Sequence, residues 1–276
     1  MKLIDLHTHS TCSDGTLTPE ELVIHAKESG LSAIALSDHD TVNGIKEAMA
    51  AGKKHSIEVI PAIEFSAEAE AECHILGFFI NPEAPSLKAM LSELIERRRL
   101  KGKLMCEALN ECGFDITEEE LKKESEGATP GRVHLARLLM GKGYVSSVNE
   151  AFDKYLAKGK PGYRSVPKPT PAEVISAIEK AGGKAYAAHL HLLKKNDEEL
   201  EGYLKELKDC GLCGVEGYYT EYTPEMFEKY NNLAKKLDLK ISGGSDFHGS
   251  NKPHIAIGKG FGNLEIPYSV LENMKK

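Results

Sequence analysis

The sequence predicts an α/β protein, a barrel or a wound sheet, with an all-helical insertion in its middle. Two observations predict this fold class. Short apolar strands alternate with amphipathic helices in two blocks of the 276-residue chain, an order typical of parallel β-α-β units. Between the blocks, helical patterns follow one another without a strand. We therefore expect a barrel domain from residues 1–80 and 170–276 and a helical insertion at 81–169.

The first block has clear helix-start and helix-stop signals. Thr18, Pro19 and Glu21 form a capping box with proline at the first helical position, and Gly30 ends that helix. The elements predicted for this block are a strand at 2–9, a helix at 18–29, a strand at 31–37, a helix at 41–54, and strands at 58–65 and 72–80.

The insertion and the second block follow from the same signals. Helices are predicted at 86–112, 118–126, 131–140 and 148–157, and a glycine- and proline-rich linker up to Pro169 ends the insertion. The second block opens at Thr170-Pro171, again a cap with proline at the first helical position. Strands at 184–190, 214–219 and 239–243 then alternate with helices at 197–210 and 224–237.

Composition and charge exclude several classes of partner. The net charge is −7, which argues against a long nucleic acid held by phosphate neutralisation. A small phosphorylated substrate is compatible with this charge, because a bound divalent metal supplies local positive charge.

We expect no membrane span and no secretory leader, and the sequence implies no protein partner. The six cysteines form no dense framework, so a cytoplasmic protein with reduced thiols is expected.

Two histidines at the end of the first predicted strand suggest the start of a metal site. In an extended strand Asp5, His7 and His9 share one face. Imidazole is the commonest metal ligand near neutral pH. The pair alone does not distinguish metal ligands from polar residues at a strand end, so the interpretation depends on further ligands.

Further metal-capable side chains lie at or near the other predicted strand ends. They are Asp14, His39, Glu64, His74, His189, Asp246 and His248. The carboxyl ends of parallel barrel strands converge on one mouth. The set is too large for one tetrahedral ion, which takes about four ligands. It suits two to three divalent ions that share carboxylates, an arrangement typical of phosphoryl or acyl hydrolysis.

These motifs resemble those of the polymerase and histidinol phosphatase (PHP) superfamily. The matching segments are Asp5-Leu6-His7-Thr8-His9-Ser10, Ser37-Asp38-His39-Asp40-Thr41, the Glu64, His74 and His189 segments, and Asp246-Phe247-His248. The resemblance implies a distorted (β/α)7 barrel and a trinuclear site. It assigns His7, His9, Glu64 and Asp246 to one ion, Glu64, His74 and His189 to a second, and Asp14, His39 and His248 to a third. Manganese, iron or zinc suit such ligands, and magnesium is an alternative.

The insertion contains a segment, Thr129-Pro130-Gly131-Arg132-Val133-His134-Leu135-Ala136-Arg137, that resembles the nucleotide phosphatase branch of this superfamily. The resemblance implies that the insertion covers the barrel mouth and that Arg132 and His134 contact substrate. His189-Leu190-His191 stands where the family has proline after the histidine, so either histidine could be the ligand, and we favour His189. His134 or His191 could protonate the leaving group. Glu216 could bind substrate or support the site.

The function predicted from these motifs is a metal-dependent phosphoesterase. It would hydrolyse a phosphomonoester of a small nucleotide, AMP-type or a 3',5'-nucleoside bisphosphate, by attack of a metal-bridging hydroxide, with Glu64 and Asp246 at the reaction centre. Within the enzymes, the alternatives are a 5'-to-3' exonuclease on short RNA and a histidinol-phosphate phosphatase. An alternative of another class is a non-catalytic metal-binding regulatory module.

Overall fold

The protein forms a seven-stranded sheet flanked by helices, together with a separate helical unit. The structure, a computed structural model, describes residues 2–125 and 131–276. Within these ranges the strands are β1 (Leu3–Thr8), β2 (Leu31–Leu36), β3 (Glu58–Ala67), β4 (Cys73–Phe78), β5 (Lys184–Ala187), β6 (Leu212–Tyr219) and β7 (Lys240–Gly244). The helices are α1 (Pro19–Glu28), α2 (Ile45–His55), α3 (Pro85–Glu111), α4 (Glu118–Glu124), α5 (Arg132–Gly141), α6 (Val148–Ala151), α7 (Pro171–Lys180), α8 (Asp197–Asp209), α9 (Pro224–Lys236) and α10 (Ser269–Lys275). None of the helices in the described ranges is long and apolar enough to cross a membrane.

The strands lie in chain order around a nearly closed barrel, which confirms the predicted fold class. β1, β2 and β3 pair in parallel, as do β5, β6 and β7, whereas β4 runs antiparallel to both of its neighbours. The two ends of the sheet meet where His9 N donates to Phe247 O at 2.9 Å and Asp246 N donates to His7 O at 2.9 Å. A Cβ on Gly244 would lie 2.2 Å from the Cβ of His7, so glycine is required for this close approach.

Two apolar clusters hold the barrel together. Side chains from five consecutive strands, β1 to β5, meet one another and three residues of α10, so they point to the inside of the curved sheet. A second cluster packs α1 and α2 against the outer side of β2. The α1 capping box is present as predicted, since Glu21 Oε2 accepts from Thr18 N at 2.8 Å and Thr18 Oγ1 accepts from Glu21 N at 3.3 Å.

The chain folds as two compact units, one formed by Met1–Met90 and Pro169–Lys276 and the other by Leu91–Lys168. The first turn of α3 belongs to the barrel unit, where Ser86 Oγ donates to Ala177 O at 3.4 Å. The boundary between the two units therefore falls after Met90, whereas the sequence predicted it after residue 80. The helical unit has its own core of buried side chains from α3, α4 and α5, among them Leu109, Leu121 and Leu135.

Several predicted boundaries differ from the observed ones. The helix predicted at 41–54 begins only at Ile45, after a turn that follows Asp40 with its positive φ of 50°. The strand predicted at 184–190 ends at Ala187, because His189 has a φ of 26°. The helix predicted at 148–157 is α6 followed by a π-helical turn, and α10 was not predicted. The predicted end of the 118–126 helix and the motif residues Thr129 and Pro130 lie outside the described residues.

Candidate metal centre

The nine predicted ligands lie at one edge of the barrel sheet. Most of them follow the carboxyl end of a parallel strand, as the sequence predicted. His74 is an exception in sequence position, because it is the second residue of β4. β4 is antiparallel and pairs His74 with Ser66 near the end of β3, so the start of this strand reaches the same edge. Every predicted ligand belongs to a group of side chains close enough to hold a metal ion.

The first group combines His7, His9, Glu64 and Asp246, all of them buried. Glu64 Oε2 lies 3.1 Å from His7 Nε2 and 3.3 Å from His9 Nε2. Asp246 Oδ1 lies 3.2 Å from His9 Nε2 and 3.6 Å from His7 Nε2. The two Nε2 atoms and Glu64 Oε2 have no hydrogen-bond partner within the described ranges, although they are close together. Buried polar atoms are normally satisfied, and a cation bound by this set would satisfy them.

A second group forms around the other oxygen of Glu64. Oε1 lies 2.9 Å from His74 Nδ1 and 2.9 Å from His189 Nε2. His39 Nδ1 lies 3.1 Å from Glu64 Oε2. Exposed Glu72, which the sequence analysis did not single out, stands 3.9 Å from His74 Nε2. Because its two oxygens face different groups, Glu64 has the geometry of a bridging carboxylate.

The third group contains Asp14, His39 and His248 together with His9. His248 Nε2 lies 3.2 Å from Asp14 Oδ1, and His39 Nε2 lies 3.9 Å from Asp14 Oδ2. His9 Nδ1 is 3.8 Å from Asp14 Oδ1. His9 therefore presents one ring nitrogen to the first group and the other to the third, which the sequence did not predict.

The charges of the cluster are strongly coupled. Burial opposes protonation of His7, but the carboxylates of Glu64, Glu216 and Asp246 outweigh it and hold the pKa of His7 well above its usual value. Burial opposes protonation of His9 as well, and the carboxylates of Asp246 and Glu64 raise its pKa to about 9. Burial is the largest influence on His39 and lowers its pKa to about 4. Burial thus favours the neutral form of His39, whereas the neighbouring carboxylates favour the charged forms of His7 and His9.

Of the two roles that the sequence left open for Glu216, the geometry favours support of the ligand cluster over contact with substrate. Its side chain is fully buried. Oε1 lies 2.9 Å from His7 Nδ1, and Oε2 accepts from the backbone N–H of His189 at 2.8 Å. Both oxygens are used and solvent does not reach them, so the carboxylate is placed to orient His7.

Asp5 also supports the site. It accepts hydrogen bonds from Ser245 N at 2.9 Å, Ser245 Oγ at 2.5 Å and Gly258 N at 2.7 Å. It also accepts from His7 N at 3.2 Å. Burial raises the pKa of Asp5 above its usual value, although these hydrogen bonds favour the charged form. Asp5 thereby ties the end of β7 to β1.

Two residues that the sequence analysis missed contact Asp246. Tyr219 OH donates to Asp246 Oδ2 at 3.0 Å, and Lys252 Nζ donates to the same oxygen at 2.6 Å. Tyr219 ends β6 and could have been suspected from its place at a strand end. Lys252 lies beyond the last strand in a segment with no recognisable signal.

The remaining predicted site residues lie outside the three groups. His191 Nε2 is 3.1 Å from Glu221 Oε2, so His189, not His191, joins the cluster through Glu64. Exposed Arg132 lies over the rings of Phe152 and Tyr163, with its guanidinium carbon 5.5 and 5.9 Å from their centroids. His134 Nδ1 accepts from Gly131 N at 3.0 Å and caps the start of α5.

Comparisons with known proteins agree with the observed barrel fold. Residues 5–249 match the PHP domain family. The chain is 34% identical over 276 residues to a 5'-3' exoribonuclease of Haemophilus influenzae, covering 100% of this chain and 99% of that protein. It is 32% identical over 250 residues to a 3',5'-nucleoside bisphosphate phosphatase of Chromobacterium violaceum, covering 90% of this chain and 88% of the relative. A crystal structure from Bifidobacterium adolescentis, described as a candidate metal-dependent phosphoesterase, has a TM-score of 0.79 and 30% identity, with coverage of 99% of this chain and 95% of that chain. The resemblance inferred from the motifs is confirmed, and the chain belongs to the PHP domain family.

Proposed function

We propose that this chain is a metal-dependent phosphoesterase that releases phosphate from a small nucleotide, either an AMP-type mononucleotide or a 3',5'-nucleoside bisphosphate. The observation that carries the proposal is the convergence of buried imidazoles and carboxylates on both oxygens of Glu64. A relative of similar length is named a 3',5'-nucleoside bisphosphate phosphatase. The prediction of a hydrolase of phosphoric esters is confirmed at the level of reaction class by the named relatives.

The donor set indicates which ions the site would take. Mixed imidazole and carboxylate ligands suit manganese, iron or zinc, whereas magnesium favours oxygen ligands. His7, His9 and Asp246 would hold one ion, His74 and His189 a second, and Asp14, His39 and His248 a third, with Glu64 shared between the first two. Ions bound there would neutralise phosphoryl charge and lower the pKa of water.

The residues of the chain itself supply orientation and contacts to substrate. The Glu216 carboxylate holds His7 Nδ1, so that Nε2 faces Glu64 and Asp246. We assign Arg132 to binding a substrate phosphate, because its guanidinium is exposed and is braced by two aromatic rings. His134 and His191 are the two candidates for protonating the leaving oxygen.

A second candidate function is 5'-to-3' exonuclease activity on short RNA. Similarity over the whole chain to the exoribonuclease of H. influenzae favours this function. The net charge of −7 disfavours a long polyanionic tract but permits a few nucleotides in a groove. The cytoplasm, a reducing compartment, remains the predicted location, because the six cysteines form no dense framework along the sequence.

The direct test, with added manganese, measures phosphate release from mononucleotides, 3',5'-bisphosphates and histidinol phosphate, and release of mononucleotides from a short 5'-phosphorylated RNA. We expect the bisphosphates to be the best substrates, and faster degradation of the RNA would favour the exonuclease. No turnover of any of these compounds would refute the phosphoesterase.

A substitution at the centre of the cluster adds a second test. Glu64→Ala is expected to abolish manganese loading and activity together, because two groups of ligands share this carboxylate. The matched control is Glu58→Ala at the other end of β3, where the carboxylate pairs with Lys275 at 2.7 Å and full activity is expected. Retained activity in Glu64→Ala would show that Glu64 is not the bridge.

A further inference from the structure

We propose that Lys252 is a phosphate-binding residue of the active site, an inference that rests on the proposed phosphoesterase function. Lys252 lies in the barrel unit, beyond β7, and its Nζ is 2.6 Å from Asp246 Oδ2. Its side chain is 37% exposed, whereas that of Asp246 is 8% exposed. Lys252 therefore stands where the buried ligand cluster meets solvent.

The two oxygens of Asp246 have separate roles. Oδ1 faces the ring nitrogens of the first group, with His9 Nε2 at 3.2 Å. Oδ2 points away from them and accepts from Tyr219 OH at 3.0 Å and from Lys252 Nζ at 2.6 Å. Lys252 thus contacts the oxygen of Asp246 that does not face these ring nitrogens, so binding of an ion at Oδ1 would not require Lys252 to leave.

The backbone that carries Lys252 is fixed to another ligand segment. After His248 the chain forms a 3-10 turn at Gly249–Asn251. Ser250 N donates to Thr16 Oγ1 at 2.9 Å, and Asn251 Nδ2 donates to Asp14 O at 2.8 Å. These bonds join the turn to the loop that carries Asp14. The position of Lys252 is therefore set by the same loop that completes the third group.

The charge at this position favours an anionic ligand. An ammonium group has three N–H donors, and Asp246 takes one of them. A phosphate beside Asp246 Oδ2 would be repelled by that carboxylate unless a cation lay between the two. Lys252 supplies that cation and offers donors for a charge-assisted hydrogen bond to a phosphoryl oxygen. The ligand class is a phosphoryl group, whether it belongs to a nucleotide or to free phosphate.

The test compares wild-type protein with Lys252→Met, which removes the charge, and Lys252→Arg, which keeps it. Lys259→Met, an exposed lysine in the same segment, is the matched control. Three quantities are measured: manganese content and affinity, the affinity of manganese-loaded protein for inorganic phosphate by calorimetry, and kcat and KM on each phosphoester that the wild type hydrolyses.

We expect Lys252→Met to weaken phosphate binding and kcat/KM by about 10- to 100-fold, the usual range for a hydrogen bond to a charged group. Manganese content should stay at the wild-type level, Lys252→Arg should recover part of the loss, and Lys259→Met should have no effect. Unchanged phosphate affinity in Lys252→Met would overturn the proposal. A parallel loss of manganese would also overturn it, because Lys252 would then act only through Asp246. A wild-type protein without activity would refute the phosphoesterase, whereas the phosphate isotherms would still decide the role of Lys252.

Discussion

Replacing Glu216 by glutamine tests how the metal centre is oriented. The substitution keeps the size of a fully buried side chain but removes its charge and one of its two acceptor oxygens. In the wild type both oxygens are engaged, one with His7 Nδ1 at 2.9 Å and the other with the backbone N–H of His189 at 2.8 Å. The glutamine oxygen can replace only one of these contacts, so its amide N–H₂ must face the other.

Each orientation of the amide has a calculable cost. Facing the backbone N–H of His189, it would set two donors against each other, and an unsatisfied buried donor costs about 1–3 kcal/mol of folding free energy. Facing His7 Nδ1, it would favour the tautomer with the proton on Nε2, the atom that lies 3.1 Å from Glu64 Oε2. That proton would occupy the lone pair needed for metal binding. Loss of a partner of this kind typically lowers metal affinity by about 10- to 100-fold.

Two measurements distinguish these outcomes from the absence of any effect. Manganese affinity is measured by calorimetry, and the free energy of unfolding is measured by urea denaturation of the metal-free protein. The control is Glu221→Gln, which changes a carboxylate that is 46% exposed and pairs with His191. For the control we expect a change of less than about 0.5 kcal/mol and unaltered manganese affinity. If Glu216→Gln matches the wild type in both measurements, the reasoning about His7 is wrong.

Two further substitutions test the other supports of the site. Asp5→Asn should lower the free energy of unfolding by about 1–3 kcal/mol, seen as a lower urea midpoint, because the amide would face backbone donors of Ser245 and Gly258; an unchanged midpoint would contradict this. His189→Ala should reduce manganese binding and His191→Ala should not, because among the described residues His189 lies in a ligand group and His191 does not. Equal losses of manganese affinity in the two variants, measured by calorimetry, would contradict this assignment.

Much of the barrel could be predicted from the sequence because its signals are local. The capping boxes at Thr18 and Thr170 place the starts of α1 and α7 correctly, since each is complete within four residues. The end of β5 could not be predicted in this way. Ala188 and Leu190 continue the apolar pattern, but His189 between them turns away with a φ of 26°, and its backbone N–H is bound by Glu216 from β6. A tertiary contact overrides the local pattern there.

The ligand cluster was predictable for a related reason, and its supports were not. The carboxyl ends of parallel barrel strands lie at one edge of the sheet. His7, Glu64 and Asp246 were therefore expected at the same edge from their positions near strand ends. Local sequence does not specify which side chain a residue contacts across the barrel. Glu216 lies in β6 and contacts His7 Nδ1, whereas Lys252 lies beyond β7 and contacts Asp246 Oδ2.

The distribution of the ligands along the chain links the metal centre to closure of the barrel. His7 lies at the start of the sequence and Asp246 near its end, and Asp246 N donates to His7 O at 2.9 Å where β7 meets β1. The first group draws on β1, β3 and the residues after β7, so within the described ranges its ligands come from distant segments. Ligands of this kind are brought together by folding, so the free energy of ion binding adds to the stability of the closed barrel. An ion bound by this cluster would therefore also offset the cost of burying its carboxylates and imidazoles.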